Sequence, residues 1–182
     1  MTTHLLAVIA ITLVGTTACG GGSQTDLEGV YTVATWTDNQ ASCDAEGQSV
    51  LALHEGFFYI KEENFLGSKF VNVSGCMDVA DCQAKAGDDG TIHIGGYGFE
   101  TGSDSAGWRS HSAIAFGSGG TCMGSVSDVL MTSTADTVRI ESRATMSAPF
   151  TGDCTEAAAE AAAAGQPCAS LEVVTATFTA GF

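Results

Sequence analysis

Short stretches of strand-like residues follow one another along most of the chain after residue 27. Between Val138 and Ala144, apolar or small side chains alternate with charged or polar ones, as a strand exposed on one face requires. The stretches with this character are 29–37, 49–54, 57–62, 69–74, 91–96, 110–117, 123–132, 137–146 and 171–179. The pattern therefore predicts about eight or nine short strands.

Turn residues separate these stretches. Glu55-Gly56, residues 66–68 and the polar segment 101–107 are predicted turns, and Asp89-Gly90 before residues 91–96 is typical of a hairpin. Such closely spaced strands and tight turns favour an antiparallel sheet.

Two segments have helical character instead. Residues 78–86 form the first predicted helix, which ends before Gly87, a residue suited to a left-handed cap. In the second, Asp153 and Glu156 form a capping-box pattern before an alanine-rich run, and Gly165 and Pro167 are predicted to stop the helix.

The resulting fold class is all-β with two short helices. If the first strand, 29–37, pairs with the last, 171–179, the sheet loses its edges and becomes an antiparallel, closed or partly closed β-barrel. A two-sheet β-sandwich is the alternative. No internal repeat of 20 to 50 residues is visible, which excludes propellers and solenoids.

The start of the first strand carries a short motif. Gly29 and Tyr31, one residue apart, are weakly similar to the G-x-W opening of lipocalin-like barrels, with Tyr in place of Trp. The resemblance covers three residues and implies the barrel fold alone.

Charge narrows the range of functions. The chain has 21 acidic and 6 basic residues, a formal net charge of −15. Nucleic-acid binding needs clustered Lys and Arg, and the basic residues here are scattered singly. Nucleic acid is therefore excluded as a partner. The excess of acidic residues also disfavours adsorption to anionic lipid.

The N-terminus predicts export. Residues 5–14 (LLAVIAITLV) are uncharged and too few to span a bilayer, and small residues lead from them to Cys19. This arrangement resembles the signal peptide of bacterial lipoproteins, although Thr16 stands where Leu is usual and the first four residues contain no Lys or Arg. The resemblance implies cleavage after Ala18 and a lipid-modified Cys19 that anchors the protein in the bilayer. Gly20 implies the outer membrane of the cell envelope.

The chain therefore divides into a signal peptide (1–18), a lipidated cysteine with a flexible tether (19–26) and one β domain (27–182). The Gly- and Ser-rich tether spans about 15 Å root mean square. The domain is expected to stay beside the membrane.

The number of cysteines supports this division. Of seven cysteines, six remain once Cys19 is assigned to the anchor, and export places them in an oxidising compartment. The spacing of the cysteines and histidines does not match a zinc site, so three disulfides are expected. Because short loops close at the least entropic cost, the predicted pairs are Cys76–Cys82, Cys154–Cys168 and, by elimination, Cys43–Cys122.

Catalytic motifs are missing from the sequence. It has no G-x-S-x-G elbow, and His54, His93 and His111 fall in different predicted strands. A hydrolase with a Ser, a His and an Asp brought together by the fold is one alternative function. A calcium-binding surface domain is another, with candidate ligands Asp88, Asp89, Glu100 and Asp104.

Aromatic residues at strand spacing are core candidates that would line a cavity only if the barrel interior were too wide to fill. They are Trp36, Phe57, Phe58, Tyr59, Phe65, Phe70, Tyr97, Phe99, Trp108 and Phe116. The expected function is a non-catalytic, membrane-anchored envelope lipoprotein that binds a small apolar ligand or a protein partner, with no cofactor and no metal.

Overall fold

The computed structural model describes residues 27–51, 56–65, 68–87, 97–118 and 120–182. In chain order the elements are β1 (Gly29–Asn39), β2 (Gln48–Ser49), β3 (Phe57–Phe65), β4 (Ser68–Cys76), α1 (Val79–Ala86), β5 (Tyr97–Phe99), β6 (Thr101–Ser103), β7 (Gly107–Ser118), β8 (Thr121–Thr134), β9 (Thr137–Met146), β10 (Phe150–Thr151), α2 (Glu156–Ala163) and β11 (Ser170–Ala180).

The strands form one antiparallel sheet that curls into a nearly closed barrel. Its order is β5-β4-β3-β1-β11-β9-β8-β7-β6, with the short β2 and β10 beside β1 and β8. β1 pairs with β11 along nearly its whole length, so the predicted pairing of first and last strands is confirmed. The prediction of an all-β barrel with two short helices is confirmed, and the alternative of a two-sheet sandwich does not apply.

A single short segment closes the ring. β5 pairs with β4, whereas β6 pairs with β7, and only Glu100 separates β5 from β6. The two halves of one continuous segment therefore hold opposite edges of the same sheet.

Large apolar side chains fill one half of the barrel. The main core cluster draws residues from almost every long strand: Leu27, Tyr31, Val33, Phe58, Ile60, Val71, Val73, Phe99, Trp108, Val129, Met131, Val138, Ile140, Val174 and Ala176. The described chain enters at this end, where the Tyr31 hydroxyl donates to the Leu27 carbonyl at 2.9 Å. Lys69 pairs with Glu62 and lies 5.3 Å from the Trp108 ring centroid at the same end. We call it the filled end.

Helix α1 packs on the outside of the barrel near this end. Its Cys82 and Ala86 form a second buried cluster with Val30, Tyr59 and Cys76, residues that point away from the barrel interior. Within the described segments, no helix is long and apolar enough to cross a membrane.

The structure contains three disulfides: Cys43–Cys168, Cys76–Cys82 and Cys122–Cys154. All six predicted cysteines are therefore paired, and the Cys76–Cys82 bond is confirmed. The predicted pairs Cys154–Cys168 and Cys43–Cys122 are wrong, because strand pairing rather than nearness in sequence brings these cysteines together.

Strand registers explain both corrected bonds. Cys122 lies opposite Phe150 in the β8–β10 pair, which brings Cys154 to the same place. Asn39 at the end of β1 lies opposite Leu171 at the start of β11, so the segments carrying Cys43 and Cys168 meet beyond that point.

The helix caps differ from the predicted ones. Thr155, not Asp153, caps α2, and its side chain accepts a hydrogen bond from the Ala158 backbone N–H. Cys154 is bonded to Cys122 on β8, and the helix begins two residues after it. Gly165 has φ +78° and ends α2 as expected. Gly87 has φ −77°, so the predicted left-handed cap of α1 is wrong; its N–H instead continues the helical pattern to the Gln83 carbonyl.

The structure differs from two other predicted elements, and a third lies outside the described residues. The predicted strand 49–54 is reduced, within the described residues, to the two-residue β2, and 52–55 lie outside them. Of the polar segment 101–107, predicted as a turn, residues 104–106 do form a turn, whereas 101–103 form β6 because their backbone pairs with β7. The predicted strand 91–96 and the Asp89-Gly90 hairpin lie outside the described residues.

Candidate functional site

The strand registers arrange the inner face of the barrel into rows that cross several strands. One row beside the filled end is apolar, and its residues belong to the core or pack against it: Trp108, Met131, Ile140, Val174 and Trp36. Because neighbouring positions on one face are two residues apart, the next rows follow directly from the pairing.

Small and polar side chains replace most of the apolar ones in the next two rows. One row contains Ser110, Val129, Ser142, Glu172 and Asp38, and the row above it contains Ser112, Ser127, Ala144 and Ser170. We call these nine residues the inner belt. Most of them are half-buried, so solvent reaches this part of the inner face.

Exposed apolar side chains lie above the inner belt. Ile114, Ser125 and Met146 form one row, and Phe116 and Met123 form the next. The four apolar residues of these rows, which we call the lip, are exposed: Ile114 59%, Phe116 48%, Met123 39% and Met146 40%. Because they share the inner face of β7, β8 and β9, the open end of the barrel has an apolar margin on this side.

The lip is supported from behind. The outer face of β8 carries Gly124, where any Cβ would overlap the Cβ of Ala159 on α2. The Cys122–Cys154 disulfide fixes the segment before α2 to the same strand. The Gly124 N–H also donates to Ser147 Oγ at 2.7 Å. The exposed apolar residues therefore belong to a packed part of the sheet and not to a frayed hairpin.

One hydrogen bond crosses the barrel between the filled end and the open end. Tyr97 on β5 donates from its hydroxyl to Glu172 Oε1 on β11 at 2.9 Å, and β5 and β11 lie four positions apart in the sheet order. Burial, followed by the negative charge of Glu172, raises the pKa of Tyr97 above its ordinary value. The phenol therefore remains a hydrogen-bond donor throughout the physiological range.

His111 occupies the outer face, away from the inner belt. Its Nδ1 lies 2.7 Å from Asp128 Oδ1 on β8, and its Nε2 lies 3.3 Å from Glu160 Oε1 on α2. Hydrogen bonds to Asp128 and Glu160 raise the pKa of His111 above its usual value. Both ring nitrogens face carboxylates, so the imidazole joins α2 to the sheet when it is protonated.

We expect His111→Gln to destabilise the protein more at pH 5.5 than at pH 8.5. Because the folded state raises the pKa of His111, its stabilising contribution is complete below the unfolded pKa and is lost as pH rises through the folded one. The side chain is 53% exposed, which limits the difference to about 0.5–1 kcal/mol. Urea unfolding of both proteins at the two pH values measures it. An equal loss at both would contradict a charge-dependent link.

The other candidate residues are not brought together in the described part of the chain. Asp104 accepts a hydrogen bond from Trp108 Nε1 at 2.9 Å and lies 3.8 Å from Lys69 Nζ. Glu100 is exposed between β5 and β6. No group of three or more potential metal ligands occurs among the described residues. Cys19, His54, His93, Asp88 and Asp89 lie outside them.

Sequence reasoning did not single out the inner belt or the lip. Serine at alternate positions of β7 and β8 is also typical of a solvent-facing strand surface, so its inward orientation had no distinguishing signal. Phe116, predicted as a core candidate, belongs instead to the exposed lip.

The geometry places the candidate site at the open end, where an apolar lip stands above a polar belt. Comparisons of the chain with protein-family models, curated proteins and solved structures give no match.

Proposed function

We propose that this protein is a lipid-anchored envelope protein whose barrel binds a small, largely apolar molecule at its open end, without catalysing a reaction. The observation that carries the proposal is the lip. Of the six large hydrophobic residues exposed in the described part of the chain, four lie together on the inner face at this end. An apolar patch held in place by packed structure is typical of an interaction site.

The inner belt supports the same proposal. Most side chains between the lip and the filled half are small, and the hydroxyls and carboxylates among them offer a few oriented polar contacts. Ligand sites commonly combine an apolar wall with a small number of polar groups that fix orientation. A molecule seated here would remove the lip from water and contribute roughly 25 cal/mol for each Å² of apolar surface buried.

The position of the chain start supports an orientation for the anchored protein. The described chain begins at Leu27 in the filled end. Asp38 lies at the open end, eight residues and about 26 Å along β1 from Val30. A lipid on Cys19 with its short tether would hold the filled end near the bilayer. The open end would then face away from the membrane and receive its ligand from that side.

A binding experiment tests the proposal on the full chain with Cys19→Ser, which we expect in the soluble fraction. N-phenyl-1-naphthylamine, a probe that is neutral at pH 7, should bind saturably with increased fluorescence. The double variant Ile114→Ser/Phe116→Ser should weaken binding about tenfold, because each lost contact removes part of the apolar burial. Fluorescence titration measures both affinities.

The matched control is Met77→Ser/Phe182→Ser, which removes two other exposed apolar residues outside the lip. It should bind the probe as the parent does. Lack of saturable binding by the parent, or equal binding by the lip variant, would contradict the proposed function.

A further inference from the structure

We propose that the ligand of the open end is a cationic amphiphile, a molecule with a protonated amine and an apolar body. This inference rests on the proposed function and specifies the chemistry of the ligand. Its basis is the charge of the inner belt, where Asp38 and Glu172 lie directly opposite each other on β1 and β11.

The protein supplies no Lys or Arg to balance these two carboxylates. Lys61 and Lys85 lie on the outer side near α1, each donating to a backbone carbonyl there. Lys69 lies at the filled end with Glu62. All six Lys and Arg residues of the chain fall within the described segments, and the remaining three occupy outer-face positions: Arg109, Arg139 and Arg143.

The arginines of β9 are engaged with acidic residues on that outer face. Arg139 Nη1 lies 2.9 Å from Glu46 Oε1, and Arg143 Nε lies 2.7 Å from Glu141 Oε1. In the inner belt, by contrast, Glu172 accepts from the neutral Tyr97 hydroxyl, and Asp38 Oδ2 accepts from Gln40 Nε2 at 2.5 Å. Neutral donors stabilise a carboxylate without cancelling its charge, so a cationic ligand is electrostatically complementary to this site.

The rows also set the polarity and length of the ligand. Glu172 lies opposite Ser142 on β9, and Met146 of the lip is four residues and about 13 Å further along that strand. A molecule that enters amine first can therefore pair with the carboxylates while its apolar body contacts the lip. An anionic amphiphile of the same length would place its charge against two carboxylates in a protein of net charge −15.

Competition between ligands that differ only in charge tests this inference. Dodecylamine, dodecanol and dodecanoate are each used to displace N-phenyl-1-naphthylamine from the Cys19→Ser protein at pH 7. We expect dodecylamine to act at a concentration at least tenfold lower than dodecanoate, with dodecanol between them. The double variant Asp38→Asn/Glu172→Gln should lose this preference, because its amides keep the acceptor oxygens and remove the charges.

The control variant is Glu63→Gln/Asp153→Asn, which removes two exposed carboxylates outside the inner belt. It should retain the preference for the amine. If the probe binds but the amine has no advantage, or if the control loses the preference equally, the cationic ligand is wrong and the binding function stands. If the probe does not bind, the proposed function fails and this inference fails with it.

Discussion

Replacing Cys43 and Cys168 with serine should lower the free energy of unfolding by about 5 kcal/mol, because this bond closes a loop across a sequence separation of 125 residues. The disulfide also lies where the end of β1 meets the start of β11, the pair that joins the first and last strands. Its loss should therefore affect the whole barrel cooperatively. Urea unfolding followed by tryptophan fluorescence measures the change.

The matched comparison is Cys76→Ser/Cys82→Ser, whose bond spans only six residues. The same chain-entropy relation gives about 2 kcal/mol for so short a loop. Equal losses for the two double variants would show that loop length does not determine the stabilisation, and would contradict the entropic account.

Filling the inner belt should abolish ligand binding without loss of stability. Ser127 lies between Ser112 and Ala144 in one row, and its Oγ is 3.5 Å from the Ser142 Oγ. In Ser127→Phe, the ring would occupy the space between the lip and the filled half. We expect no saturable fluorescence of N-phenyl-1-naphthylamine at concentrations that saturate the parent. The melting temperature should stay equal or rise, because the ring buries apolar surface against the wall.

Thr132→Phe is the matched control, since Thr132 lies on the outer face of the same strand and is exposed. It should bind the probe with the parent affinity. Normal binding by Ser127→Phe would place the ligand elsewhere and remove the basis for the open end as the site.

Local patterns were sufficient for much of the fold. The alternation in 137–146 predicted the limits of β9, and the apolar first and last strands correctly suggested each other as partners. Those features depend on short-range periodicity and on the need to protect sheet edges.

The disulfide pairing and the site depended on information that local patterns do not carry. Cys43 and Cys168 are distant in sequence, and only the β1–β11 register brings them together. Ser110 and Ser112 occupy inward positions that solvent still reaches. There the usual link between inward orientation and apolar character breaks down, so alternation alone could not assign the face.

One short segment, β5 with β6, is the joint that closes the ring of strands. Tyr97–Phe99 holds β4 and Thr101–Ser103 holds β7, each through three register pairs, whereas β7 and β8 pair along nearly their full length. Along the main strand order of the described sheet, these two pairings are the shortest. β7, the strand beside the joint, carries Ile114 and Phe116 of the lip. The joint itself lies at the filled end, where Phe99 and Trp108 are buried in the main core, so side-chain packing holds the ring closed where its backbone pairing is short.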